Sequence, residues 1–128
     1  MAKRTFQLNK LVRDKIVELS LADGQSVNFK ILNDADYVIA LKQKIIEEAQ
    51  ELTKTDTAQI EELADILEAI DCLIAALGCS KSDILDVQLK KANKKGSFMK
   101  RHYIETVSAE GEWADYYASS PDKYPMVK

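Results

Sequence analysis

An all-α fold is predicted by three features of the sequence: an apolar fraction of 46% with only 7% aromatics, long stretches in which Leu, Ile and Val recur every three or four positions, and just four glycines and two prolines. Aliphatic residues at helical spacing fill a core between packed helices. So few turn residues leave little room for the many reversals of an all-β chain. At 128 residues the chain has the length of one domain, long enough to bury a core and too short for two independent ones.

Asn9 is placed to cap a first helix through KLVRDKIVELSL, with Leu11, Val12, Ile16 and Leu19 as its apolar face and Asp23-Gly24 as its stop. Val27, Phe29 and Ile31 then alternate with polar neighbours, the period of a short strand. Asn33 or Asp34 caps a second helix reaching Lys54, with Val38, Leu41, Ile45 and Leu52 on one stripe. After a polar break at Thr55 to Thr57 a third helix is expected from Ala58 to Leu77, ended by Gly78 in the left-handed cap position. Its Ile60, Leu63, Leu67, Ile70, Ile74 and Leu77 form a seam for another helix, and the short connection makes helix two the antiparallel partner.

Ser80 with Asp83 resembles a capping box opening a fourth helix that carries Ile84, Leu85 and Leu89 and closes at Gly96. Beyond it, FMKRHYIETV reads as a second strand, pairing with residues 27–32 into a small two-stranded sheet beside the helices. The expected architecture is therefore a four-helix bundle over residues 1–108. Residues 109–128 form a tail without a clear period, whose Trp113, Tyr116, Tyr117 and Tyr124 are available to dock on the bundle or on a second subunit.

The net charge of −3 hides a division along the chain: acids dominate residues 47–71 and bases dominate 90–101. An acidic middle opposes the basic footprint that duplex nucleic acid demands. A polyanionic small molecule with a bridging cation suits both halves. Cys72 and Cys79 lie two turns apart, a poor basis for a disulfide framework, which points to reduced thiols and a cytoplasmic protein. MAKRTFQLNK has no apolar run of the signal-peptide kind, and no stretch is apolar for long enough to span a membrane.

Acids on a helix are ordinary, so the direction in which they point decides what they mean. At about 100° per residue, with Leu41 at zero, Ile45 falls near 40°, Leu52 near 20° and Glu48 near −20°, within the apolar stripe. Glu51 and Glu47 continue along the flank at about −80° and −120°. On the third helix, with Leu63 at zero, Glu62 lies at about −100° between Leu73 and Ala69, and Asp65 at about −160° beside Ala76. Glu61 and Glu68 fall on the side without large apolar residues and read as solvating charges.

Like charges gathered on apolar faces raise one another's pKa or unfold the bundle unless something positive lies among them. Lys and Arg can supply it, but hard oxygen ligands in this number, with no Cys or His among them, suit magnesium or manganese better. Acidic pairs of this spacing are common on charged helices; their placement on apolar arcs is what sets these apart. The bases also have two readings. Lys90, Lys91, Lys94 and Lys95 complement the negative end of the fourth helix, or Lys91, Lys95 and Arg101 hold substrate phosphates. Lys10, Arg13 and Lys15 are either the polar face of helix one or a second basic group, with Arg13 the candidate phosphate contact among them.

EEAQEL at 47–52 followed by EELADIL at 61–67 resembles the E-x-x-E and E-x-x-D signature of the MazG-like all-α nucleoside triphosphate pyrophosphohydrolases. The phosphoribosyl-ATP pyrophosphohydrolase-like branch is similar in NKLVRDKI at 9–16, in the run from Asp36-Tyr37 into helix two, and in the basic turn KKGSFMKR at 94–101. The resemblance spans residues 9–107 and implies a MazG-like bundle with magnesium on Glu48, Glu51, Glu62 and Asp65. It also implies dimers or tetramers whose helices pack across subunits. Lys94-Lys95 depart from the pattern, standing where related sequences carry Arg, the better bidentate phosphate partner.

The expected reaction is hydrolysis of a nucleoside triphosphate between its α- and β-phosphates, with magnesium or manganese as cofactor and Glu47 or Glu51 orienting the attacking water. Hydrolysis of phosphoribosyl-ATP cleaves the same bond and is the close alternative. A helical interaction or regulatory module without catalysis is the alternative from another class.

Overall fold

The computed structural model describes residues 2–128 and contains, among them, five helices and no strand. The chain divides into two compact units, Met1–Lys90 and Lys91–Lys128. Among the described residues no helix is long and apolar enough to cross a membrane.

The first helix, α1, runs only from Ile16 to Ala22. Asn9 does not cap it: its φ of 46° is left-handed, and residues 10–15 are irregular up to the first turn, where the Ile16 N–H donates to Arg13 O at 3.1 Å. A cap at Asn9 would require an extended backbone there. The stop at Asp23-Gly24 is as read, with Gly24 at φ 81°.

Helix α2, Asp34–Lys54, starts where Asn33 Oδ1 accepts the Asp36 N–H at 2.8 Å, an N-cap reinforced by Asp34 and Asp36 at the positive end of the helix. Thr55 turns extended, and its Oγ1 accepts the Ala58 N–H at 3.1 Å, which shapes the four-residue connection to α3. Helix α3, Gln59–Ala76, ends as expected at Gly78, whose φ of 73° suits a residue without a side chain. There the Cys79 N–H reaches back to Ile74 O and the Gly78 N–H to Ala75 O, satisfying carbonyls the helix would otherwise leave open.

The α2–α3 hairpin is the packed heart of the first unit. Leu41 at 2% exposure and Ala69 at 6% are its buried apolar residues, and Glu48 at 8% is buried beside them. Val38, Ile45, Leu52, Ile66, Ile70 and Leu73 are half-buried around them. The seam expected on α3 is only partly the face that packs: Ile60, Leu63, Leu67 and Leu77 are at least half exposed. The reason is that α3 carries two adjoining apolar faces. The arc holding Ile66, Ala69 and Leu73, which also carries Glu62, turns to the interior; of the aliphatic stripe beside it Ile70 and Ile74 are half-buried, and Ile60, Leu63, Leu67 and Leu77 stay outside.

Helix α4, Lys81–Lys95, opens with Ser80 Oγ accepting the Asp83 N–H at 3.1 Å, half of the expected capping box, and ends before Gly96 at φ 84°. It buries none of its residues: Ile84, Leu85, Val87 and Leu89 are 43–59% exposed. Of the four-helix bundle expected from the sequence, the structure shows one packed pair, α2 and α3.

The two-stranded sheet is absent, and both segments expected to form it are irregular. Phe29 and Ile31 are 59% and 92% exposed, so the alternating residues find no apolar surface, and an uncovered two-stranded ribbon is marginal in water.

The second unit contains a helix the sequence reading did not assign, α5, Gly111–Ala118. Trp113, Tyr116 and Tyr117 fall at helical spacing on it. Trp113 meets Tyr116 edge to face at 5.8 Å, and Tyr124 returns through a turn at residues 120–124 to sit 5.1 Å from Tyr117. These rings pack on one another in the arrangement aromatic pairs favour.

Candidate metal centre

Glu48, Glu62 and Asp65 each bring a carboxylate oxygen within 4.8 Å of the other two. The hairpin makes this juxtaposition. Glu48 lies one heptad after Leu41 on the inward stripe of α2, and Glu62 and Asp65 lie one turn apart at the start of α3, just past the reversal.

Protein cations meet most of these acids. Lys44, one turn before Glu48, places its Nζ 3.2 Å from Glu48 Oε1 and 3.2 Å from Glu47 Oε2. Lys10 Nζ lies 3.3 Å from Glu47 Oε1. Arg13 Nη2 donates to Asp65 Oδ1 at 2.6 Å, and Arg13 Nη1 stands 3.8 Å from Glu68 Oε1. Partial burial works against the charge on Lys44, but its bonds to Glu47 and Glu48 outweigh that and hold its pKa above the ordinary lysine value. Partial burial likewise pushes Glu47 up, and the bonds from Lys44 and Lys10 overcome it, leaving Glu47 below the usual carboxylate range.

Glu62 is different. Its Oε2 is buried without a hydrogen-bond partner. Hydrogen bonding to Glu48, loss of solvent and the charges of Glu48, Asp65 and Glu51 together raise its pKa. An acid whose charged form is disfavoured by three neighbouring carboxylates is a position at which added positive charge would be strongly stabilised. An orphaned buried oxygen, two further carboxylate oxygens within reach and the absence of nitrogen or sulfur donors fit a hard divalent cation such as magnesium or manganese.

Of the four expected metal ligands, three come together. Glu51 stands outside the group; it is exposed, with Lys54 Nζ 3.9 Å from its Oε1, although its charge is felt at Glu62. Glu47 borders an open cleft of ≈360 Å³ between residues 8–11 and α2, whose polar lining includes Asn9, Lys10, Gln43 and Lys44. Arg13 lies at the acidic group rather than on a helix face. Lys91, Lys95 and Arg101 belong to the second unit and are exposed, with no ion pair among the described residues. Arg101 has a left-handed backbone, φ 61°.

Lys44 is the residue that sequence reasoning missed. The signal was present, since Lys44 precedes Glu47 by three positions and Glu48 by four, the spacings at which helical side chains meet. No known protein family, curated protein or solved structure matches this chain.

Proposed function

We propose that this chain is a magnesium-dependent nucleoside triphosphate pyrophosphohydrolase that releases a nucleoside monophosphate and pyrophosphate. The observation that carries the reading is the trio Glu48, Glu62 and Asp65, with the buried, unpartnered Glu62 Oε2 among them. The likeness of the acidic motifs to those of MazG-like enzymes gives the trio its reaction. Glu48, Glu62 and Asp65, with Glu51 at the margin, would hold magnesium or manganese, which when bound would supply Lewis-acid stabilisation of charge on phosphate oxygens.

The chain's own residues do the rest. Glu47, held ionised by Lys10 and Lys44, accepts a hydrogen bond from the attacking water and orients it; Glu51, exposed and close to Glu62, is the other carboxylate suited to that task. Lys10 and Lys44 put positive charge on the cleft beside Glu47, where substrate phosphates gain from it. Lys91, Lys95 and Arg101 are proposed phosphate-binding residues on the strength of the basic turn's likeness to the same family.

The active form is a homodimer or homotetramer. Support comes from Ile60, Leu63, Leu67 and Leu77 of α3 and from α4, left outside by their own chain. Stable interfaces cover such surfaces with a partner.

The deciding experiment is a panel of canonical and noncanonical nucleoside triphosphates, with phosphoribosyl-ATP beside them, scored for pyrophosphate in magnesium and in manganese. Release that disappears in Glu48→Gln, with the helical circular dichroism unchanged, is expected. Silence across the panel would favour a non-catalytic interaction module instead.

A further inference from the structure

Of the three cations paired with Glu47, Glu48 and Asp65, two come from one short segment. Residues 9–15 leave Asn9 in the left-handed region, precede α1 without regular structure, and carry Lys10 to Glu47 and Arg13 to Asp65. Leu11 and Val12 between them are half-buried, which pins the segment against its unit. The Arg13 to Asp65 bond joins residues 52 positions apart, so it is tertiary and not a by-product of helix geometry. At 2.6 Å it is a short, charge-assisted bond on a carboxylate that is also one of the three candidate metal ligands.

A guanidinium and a divalent cation seek the same property in Asp65, its negative charge, and each repels the other. With the Arg13 and Asp65 side chains 57% and 36% exposed, neither attraction is large, and holding both cations at one carboxylate costs more than holding either. We infer that Arg13 is a stand-in cation for Asp65, which neutralises the acidic group while no divalent ion is bound and competes with the ion, so that residues 9–15 loosen as the metal enters. This rests on the metal reading above. By linkage, whatever Arg13 takes from the affinity of the metal, the metal takes from the anchoring of the segment. The freed guanidinium then becomes available to a substrate phosphate. The opposite arrangement, in which Arg13 orients Asp65 for the metal from behind, would change affinity in the other direction.

Manganese binding to the full chain, measured by calorimetry for wild type, Arg13→Gln and Arg13→Lys, separates the two. Arg13→Gln should bind manganese about twofold to fivefold tighter, the range an exposed ion pair is worth. Arg13→Lys, which keeps the charge, should stay near wild type. Hydrogen exchange on the wild-type chain gives a second readout that needs no variant: amides of residues 10–15 should exchange faster when manganese is added. Weaker or unchanged binding by Arg13→Gln, or exchange in residues 10–15 that does not respond to the ion, overturns the inference and leaves the metal site standing. A wild-type chain that binds no manganese removes both.

Discussion

Leu41→Ala probes the one large apolar side chain that is buried among the described residues. At 2% exposure Leu41 loses its whole transfer contribution on truncation, and buried leucines cost about 2–5 kcal/mol when cut to alanine, the spread reflecting how far the site can collapse. Val38, Ile45 and Leu52 on the same stripe are only half-buried. They have room to move inward, which keeps the cavity contribution small and places the cost at about 3 kcal/mol. For a chain of 128 residues the unfolding entropy is about 0.27 kcal/mol per degree, so Tm should fall by roughly 11 °C. Leu63→Ala is the matched control on α3, identical in chemistry and 50% exposed; in a monomer it should cost less than about 1 kcal/mol. Urea unfolding of both variants over a hundredfold range of protein concentration is the assay. A Leu41→Ala cost below about 1 kcal/mol would refute an α2–α3 core centred on that residue. Equal costs for the two variants at high protein concentration, with the Leu63→Ala cost shrinking on dilution, would instead locate part of the stability of Leu63 in a second subunit.

Other expectations follow from the acidic group. Glu62→Gln removes a carboxylate whose charge is disfavoured and which has no cationic partner; it should raise Tm in chelator and abolish the rise that magnesium gives the wild type, both read by calorimetry. Glu51→Gln, outside the trio, should weaken manganese binding much less than Glu62→Gln does, and equal losses would return Glu51 to the ligand set. Lys44→Met takes the counter-ion from Glu48 in a pair whose side chains are 20% and 11% exposed; a loss of about 2 kcal/mol is expected, between surface and buried pairs, and excess magnesium should recover most of it. In the second unit, hydrogen bonds from Lys123 and then Tyr116 lower the Tyr124 pKa. One of the five tyrosines should therefore form phenolate at a lower pH than free tyrosine, and Lys123→Ala should move it upward in a near-ultraviolet titration.

The parts of the fold that local chemistry decides were legible. Asn33 and Ser80 cap helices because their side-chain oxygens reach an N–H three residues on, and Gly24, Gly78 and Gly96 end them because the left-handed backbone suits glycine. Glu48 and Glu62 were legible as inward-facing acids because their neighbours on the helical wheel are apolar. The rest turned on tertiary choice. Val27, Phe29 and Ile31 alternate as a strand does, yet a strand needs a partner and a face to cover, and alternation supplies neither. On α3 the helical period identified a broad apolar arc but could not say which edge of it meets α2, and the larger aliphatics proved to be on the outer edge. Arg13 could not be placed on Asp65 from a helical wheel, since the segment that carries it is not helical. Trp113, Tyr116 and Tyr117 do share helical spacing, but aromatic residues are weak helix formers and the helix is only eight residues long, too short to show a period in the tail.

Glu48 occupies one of only three buried positions among the described residues. A leucine or methionine there would extend the stripe that Leu41 begins and make a better hairpin in every respect except the loss of a carboxylate. Any activity that needs this acid is consequently maintained against the pull of thermostability, and selection for stability alone should erode it at this position first. Libraries sorted for heat resistance without a functional screen would be expected to accumulate apolar residues at 48, marking the price of the site in the currency of the fold.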